Sequence, residues 1–197
     1  MMIIRRLSAP ALPLLLAGCI SLGPKTPATL MALTPSATVS AGAAKATSDE
    51  RSIAVNIPTA QPALATQRVM VQDGPNAVAY VKDAQWVAAP ALLFRNLVAE
   101  TITARTGRYV PDQRATGLQP DLRISGQLVQ FGLDGPGMAA VVMFDGVLAR
   151  SGSTTLQTRR FEARVPIGST DGPAAAVGIN QAANRVAEEI AGWIGGG

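Results

Sequence analysis

The chain has 197 residues, 48% hydrophobic and 15% charged, which suits one medium globular domain with a substantial core. Histidine is absent and cysteine occurs once, so Ser-His-Asp and Cys-His catalysis, an internal disulfide and a His/Cys metal cluster are all excluded. A formal charge of +4 is too small to argue for nucleic acid as a partner.

The first 18 residues differ from the rest. Arg5 and Arg6 form a short cationic region, and Leu7 to Leu16 form an apolar stretch interrupted by Pro10 and Pro13. Small Ala17 and Gly18 then precede Cys19. These are the parts of a secretory signal peptide, and about ten apolar residues cannot span a hydrocarbon core of ~30 Å. "LAGC", Leu16 to Cys19, resembles the bacterial lipobox, a signal cut before a cysteine whose sulfur then receives a diacylglycerol. Each buried CH₂ adds about 0.8 kcal/mol, so two or three acyl chains give lasting attachment. The alternative is an ordinary signal peptide with an incidental cysteine. Ile20 and Ser21 follow the cysteine in place of an inner-membrane retention aspartate, which points to the outer membrane. Without residues 1–18, which carry Arg5 and Arg6, the 17 basic residues become 15 against 13 acids, a charge of +2.

In the remainder, "TLMAL" (residues 29–33) reads as a short strand near the anchor. Residues 34–50 hold 13 Gly, Ala, Ser, Thr or Pro in 17 positions and read as a flexible connection or long loop. "SIAVNI" alternates Ile53, Val55 and Ile57 on one face before Pro58. Runs at 68–72 and 77–82 flank Asp73-Gly74-Pro75-Asn76 and form a hairpin signal. Asp-Gly-Pro recurs at 134–136 and 171–173, as punctuation and not as a repeat, because the flanking sequences are unrelated.

Pro90 opens a helix in which Phe94, Leu97, Val98, Thr101 and Ile102 share a face opposite Asn96, Glu100 and Thr103, with Gly107 as its cap. A β-meander follows. Leu122, Ile124 and Leu128 hold one phase, then Val129, Phe131 and Leu133 take the other, which predicts a bulge near Leu128. "MAAVVMFDGVL" (residues 138–148) is apolar on both faces, the pattern of a central strand covered on both sides. "RFEARV" places Phe161, Ala163 and Val165 inward, with Arg160, Glu162 and Arg164 outward. Residues 173–194 form a last helix with a stripe of Ile179, Ala183, Val186, Ala187, Ile190, Trp193 and Ile194. Gln181, Arg185 and Glu188 lie off that stripe, and Asp171 or Thr170 caps the start. The fold class is α+β, a largely antiparallel or mixed sheet with two amphipathic helices packed against it. The division is 1–18 signal peptide, 19–50 lipid-anchored segment with a short strand and flexible linker, and 51–197 globular domain.

The chain reads as non-enzymatic, without a cofactor or metal site. No G-x-S-x-G elbow, phosphate loop or dinucleotide fingerprint is present. Carboxylate-only chemistry among Asp83, Asp112, Asp121, Asp134 and Asp145 is the remaining catalytic option, and nothing in the sequence pairs any two of them. Trp86 and Trp193 suit lipid contact as amphipathic rings, but both positions read first as core, as does the stripe Met138, Met143 and Phe144.

The stretch "RVMVQDGPNAVAYVKDAQWVAAPALLFRNLVAETI" has a strand pair, a strand bearing Tyr80, a polar link, Trp86 and a Leu-rich helix. With "PDLRISGQLVQF", the closing "NQAANRVAEEIAGWI" and the lipobox, it resembles the ABC-type transport auxiliary lipoprotein family, which includes the paraquat-inducible lipoprotein of intermembrane transport. The resemblance runs over residues 30–194, with Leu30 or Met31 standing where members often carry tyrosine. It implies a periplasmic lipoprotein, lipid-anchored through Cys19 to the outer membrane. Its implied partners are a membrane ATPase, a permease and an MCE-domain substrate-binding protein that move phospholipids or other hydrophobic molecules between membranes. The role it implies is docking, and it leaves a homo-oligomer open. The competing expectation is a lipoprotein of another envelope assembly, such as lipopolysaccharide export.

Overall fold

A computed structural model describes residues 29–42, 48, 51–112, 117 and 119–195. Cys19 and the signal peptide lie outside the described residues. Seven strands and two helices follow in the order β1 (Ile53–Val55), β2 (Thr59–Ala60), β3 (Arg68–Gln72), β4 (Val78–Gln85), α1 (Pro90–Thr106), β5 (Leu122–Asp134), β6 (Ala139–Arg150), β7 (Leu156–Pro166) and α2 (Gly172–Gly195). A 3-10 turn, Pro62–Leu64, joins β2 to β3. The sheet is mixed, with spatial order β4-β3-β5-β6-β7. The fold is therefore the α+β class that the sequence implies.

β5 organises the sheet. One of its edges pairs antiparallel with β6 along its whole length. The other takes three short parallel partners in succession: β1 against Leu122 to Ile124, β2 against Gln127 and Leu128, and β3 against Gly132 to Asp134. Pro58 and Pro62 stand between these partners and cannot donate to a ladder, so one ribbon is cut into pieces. For the same reason the strand through Ile53 and Val55 stops before Ile57. Ile57 is 44% exposed, not inward as the alternation suggests. The phase switch in β5 is a register shift between Leu128 and Gln130, where the inward set passes from Leu128 to Phe131 and Leu133.

Each Asp-Gly-Pro closes a turn or opens a helix. Gly74 at φ +96 turns the β3–β4 hairpin. Asp134 accepts the Gly137 N–H at 3.0 Å in the β5–β6 turn, and Asp171 accepts the Ala174 N–H at 2.9 Å as the cap of α2. β4 extends beyond Lys82 to Gln85 by way of a bulge, in which Asp83 takes a φ of +53.

α1 buries Phe94, Leu97, Val98, Thr101 and Ile102, the face read from the sequence. It ends at Gly107, whose left-handed backbone donates its N–H to the Thr103 carbonyl. α2 buries its predicted stripe apart from Trp193, which is half-buried against the core. Along the inner face of the sheet, all four Phe and both Trp of the chain form one row. Successive ring centroids are 5.3 Å (Trp86–Phe131), 6.4 Å (Phe131–Phe94), 5.4 Å (Phe94–Phe144), 6.3 Å (Phe144–Phe161) and 5.4 Å (Phe161–Trp193). The row runs from the β4 edge to the β7 edge. It places both tryptophans against the protein interior.

β6 is central, but helices cover only one of its faces, through Ala140, Val142, Phe144 and Leu148. The other face carries ion pairs. Val141 is nonetheless fully buried there. It stands in register with Gly132 on β5 and Arg164 on β7, and Arg164 reaches across β6 to pair with Asp134. The arginine stem thus does the work expected of a second packing layer. Met138, Met143 and Phe144 do not form a stripe: Met138 is 40% exposed in a turn, Met143 faces the charged side, and Phe144 belongs to the core.

Candidate functional site

Three regions bear on what the domain does: the acids, the interior and the N-terminal segment from residue 29. Asp145 is held by Arg160 through paired contacts at 2.6 Å, and that hydrogen-bonded guanidinium keeps its carboxyl below the usual carboxylate range. Asp134 is lowered in the same direction, first by Arg164 and then by the Gly137 N–H. Asp121 pairs with Arg150 at 2.5 Å across a polar cleft of about 400 Å³ lined by Gln119, Arg123 and Ser151. Asp83 sits in the β4 bulge, and Asp112 follows β1's neighbour Tyr109 in the loop after α1. Asp121, Asp134 and Asp145 are thus each committed to an arginine, and an arginine-neutralised carboxylate is a poor proton shuttle. Among the described residues no group of three His, Cys, Asp or Glu could hold a metal ion. No helix among the described residues is long and apolar enough to cross a membrane.

The aromatic row runs through the core of the described residues. A half-open hollow beside it, lined by Val55, Asn56, Pro58, Phe94, Arg95, Val98, Ile124 and Phe144, has a volume of about 10 Å³, room for a single water.

The N-terminal segment is the unexpected element. Residues 29–33 form only one bridge, not a strand: the Met31 N–H donates to the Gln85 carbonyl at 2.7 Å, and the Val87 N–H donates to Met31 at 2.8 Å. From there residues 34–39 cross α2 and reach α1, where composition alone suggests a free connection. The Asn180 side chain accepts the Thr34 N–H at 2.8 Å. Asn184, 9% exposed, accepts the Ser36 N–H at 2.7 Å and donates to the Thr34 carbonyl at 2.9 Å. Glu100 on α1 accepts the Val39 N–H at 2.8 Å. Ala37 is buried beneath this strap. Polar side chains reading backbone groups hold a segment that has little apolar surface to bury. Sequence periodicity carried no sign of this, because the partners lie up to 150 residues apart.

Replacing Asn184 with alanine removes the side-chain partner of the Ser36 N–H and the Thr34 carbonyl in two part-buried hydrogen bonds, at a cost of about 1 kcal/mol. The expected result is faster amide exchange at Ser36 together with a lower denaturant midpoint. Unchanged exchange at Ser36 would show that the strap is held elsewhere.

The described residues thus form a mixed sheet under two helices, with an N-terminal strap laid across α2 to α1. The model of the ABC-type transport auxiliary lipoprotein component matches residues 31–191, and the chain belongs to that family. The crystal structure of protein XCC0632 from Xanthomonas campestris, of family DUF330, is similar at TM-score 0.70 and 22% identity, covering 85% of this chain and 94% of that one. A second crystal structure, of an uncharacterized protein, is similar at TM-score 0.63 and 16% identity, covering 74% and 93%. These likenesses show the fold. No curated protein matches the chain.

Proposed function

We propose that the protein is the lipid-anchored docking subunit of an ABC transport system of the MCE type, working in the periplasm and tied through Cys19 to the outer membrane. Such a system would move phospholipids or other hydrophobic molecules between the two membranes. The observation that carries this reading is the family match beginning at residue 31, twelve positions after the cysteine of an "LAGC" lipobox. Residues 1–18 would be removed, and residues 19–28 would tether the domain. Acids committed to arginines support a non-catalytic role. An MCE-domain protein, a permease and an ATPase would be the partners, with energy and channel supplied by them.

Cys19→Ser tests the anchor. The expected outcome is transfer of the protein from the membrane fraction to the soluble or unprocessed pool, while the native Cys19 peptide carries the mass of a diacylglycerol. An unmodified thiol on freely soluble native protein would overturn it. Pull-down of the native chain in detergent is expected to recover an MCE-domain protein and a permease. Recovery of lipopolysaccharide-export components in their place would move the assignment to that machine.

A further inference from the structure

The end of the domain where the N-terminal chain enters carries two uncharged apolar runs, bordered by the polar Gln67–Gln85 pair. Residues 86–94, "WVAAPALLF", contain no charged side chain, and neither do residues 30–33, "LMAL". Met31 and Trp86 are bridged in parallel, with Trp86 fully buried and Met31 packed on the core. Side chains alternate across extended pairing, so the flanking Leu30 and Val87 point outward. They are 41% and 49% exposed, and Leu92 in the first turn of α1 is 38% exposed. The nearest cation along the chain, Arg95, is turned away, its guanidinium donating to the carbonyls of Val55 and Pro111. The open face of the sheet is the opposite in character, with its Arg–Asp pairs.

We propose that Leu30, Val87 and Leu92 form a membrane-contact face that rests in the headgroup–acyl boundary of the bilayer holding the anchor. This inference rests on the lipid-anchor reading of Cys19. Ten residues lie between Cys19 and Leu30, eleven steps with a reach of at most about 36–40 Å. It joins the domain at this face, so the surface nearest the membrane is this one. Three partly exposed apolar side chains bind a bilayer weakly on their own. Tethering makes their contact intramolecular, where a high effective concentration lets a small patch suffice. The face would set how the domain is oriented toward its partners.

The test supplies the anchor chemically. Residues 19–197, which retain every described residue, are coupled through the chain's single thiol at Cys19 to a maleimide-headgroup lipid in phosphatidylethanolamine–phosphatidylglycerol vesicles. Amide exchange is then compared with the uncoupled chain. Roughly tenfold slower exchange over residues 86–93 is expected on the vesicle, with β7 at the opposite sheet edge unchanged. Val87→Glu combined with Leu92→Glu should abolish that slowing while exchange in β5 and β6 stays native. Equal rates over 86–93 on the vesicle and in solution would overturn the proposal, as would equal slowing in β7 or slowing that survives the double substitution. Whether Cys19 is acylated in cells is read separately, from the mass of its peptide, so failure of the face and failure of the anchor are distinguishable.

Discussion

Phe131→Ala should lower the unfolding free energy by about 3–5 kcal/mol, the range for removing a fully buried phenylalanine. Total stabilities of single domains are about 5–15 kcal/mol, so one substitution would consume a large part. Phe131 is fully buried and is the link at which the row passes from Trp86 to Phe94, with centroids 5.3 and 6.4 Å away. It sits just past the β5 register shift, on the strand that every parallel partner pairs with, so backbone collapse cannot close the void. The buried Trp86 indole N–H has no acceptor among the described residues, and its ring packs against Phe131. Removing Phe131 therefore also loosens the residue bridged to Met31. Urea unfolding measures the effect. Leu156→Ala, 59% exposed, serves as comparison and should change stability by no more than about 0.5 kcal/mol. A loss below about 1 kcal/mol for Phe131→Ala would mean that the row is not the structural core.

Much of this architecture was legible because local chemistry and tertiary demand agree. The α1 face is a run of neighbours at helical spacing, and all five of its named residues are buried. The β5 phase switch is visible because a one-residue slip turns every later side chain over, and the ladder breaks at that point. Gly107 and Asp171 act as caps through contacts three or four residues away. What escaped is long-range or polar. The order β1, β2, β3 along β5 is parallel pairing between segments about 70 residues apart, for which no local pattern exists. Asn184 lies outside the predicted stripe of α2, and it grips the strap. The doubly apolar β6 suggested two covering layers because an arginine stem was not counted as one.

The candidate site divides in the same way. Cys19 is a candidate that the sequence alone offers, as the last of four lipobox-like residues after Arg5 and Arg6, and it lies outside the described residues. The apolar entry face is not legible in the sequence, because Val87 and Leu92 look like ordinary members of a helix start. Only the Met31–Trp86 bridge brings Leu30 beside them and turns Val87 outward.

Gly126→Ala should cost about 3 kcal/mol or more, since it adds a steric conflict to a backbone conformation that only glycine adopts easily. Gly126 has a φ of +151, and a methyl group there would lie 2.0 Å from the Asp145 carbonyl and 2.9 Å from the Phe144 ring. The obstacle is the backbone of the neighbouring strand, so relief requires β5 and β6 to separate in the middle of the sheet's longest ladder. Gly126 faces Gly146 across that ladder, and a methyl at Gly146 would meet the Phe144 and Phe161 rings at 3.0 and 3.1 Å. The facing glycines make a shallow trough in the sheet, and the aromatic row lies over it. Gly146→Ala meets ring edges, which can shift by tenths of an ångström, and so should be the milder change. The measurement is the order of the two denaturant midpoints. Were Gly126→Ala the milder substitution, the close backbone approach between β5 and β6 would be wrong, and with it the reason that Phe144 and Phe161 can stack across the sheet centre.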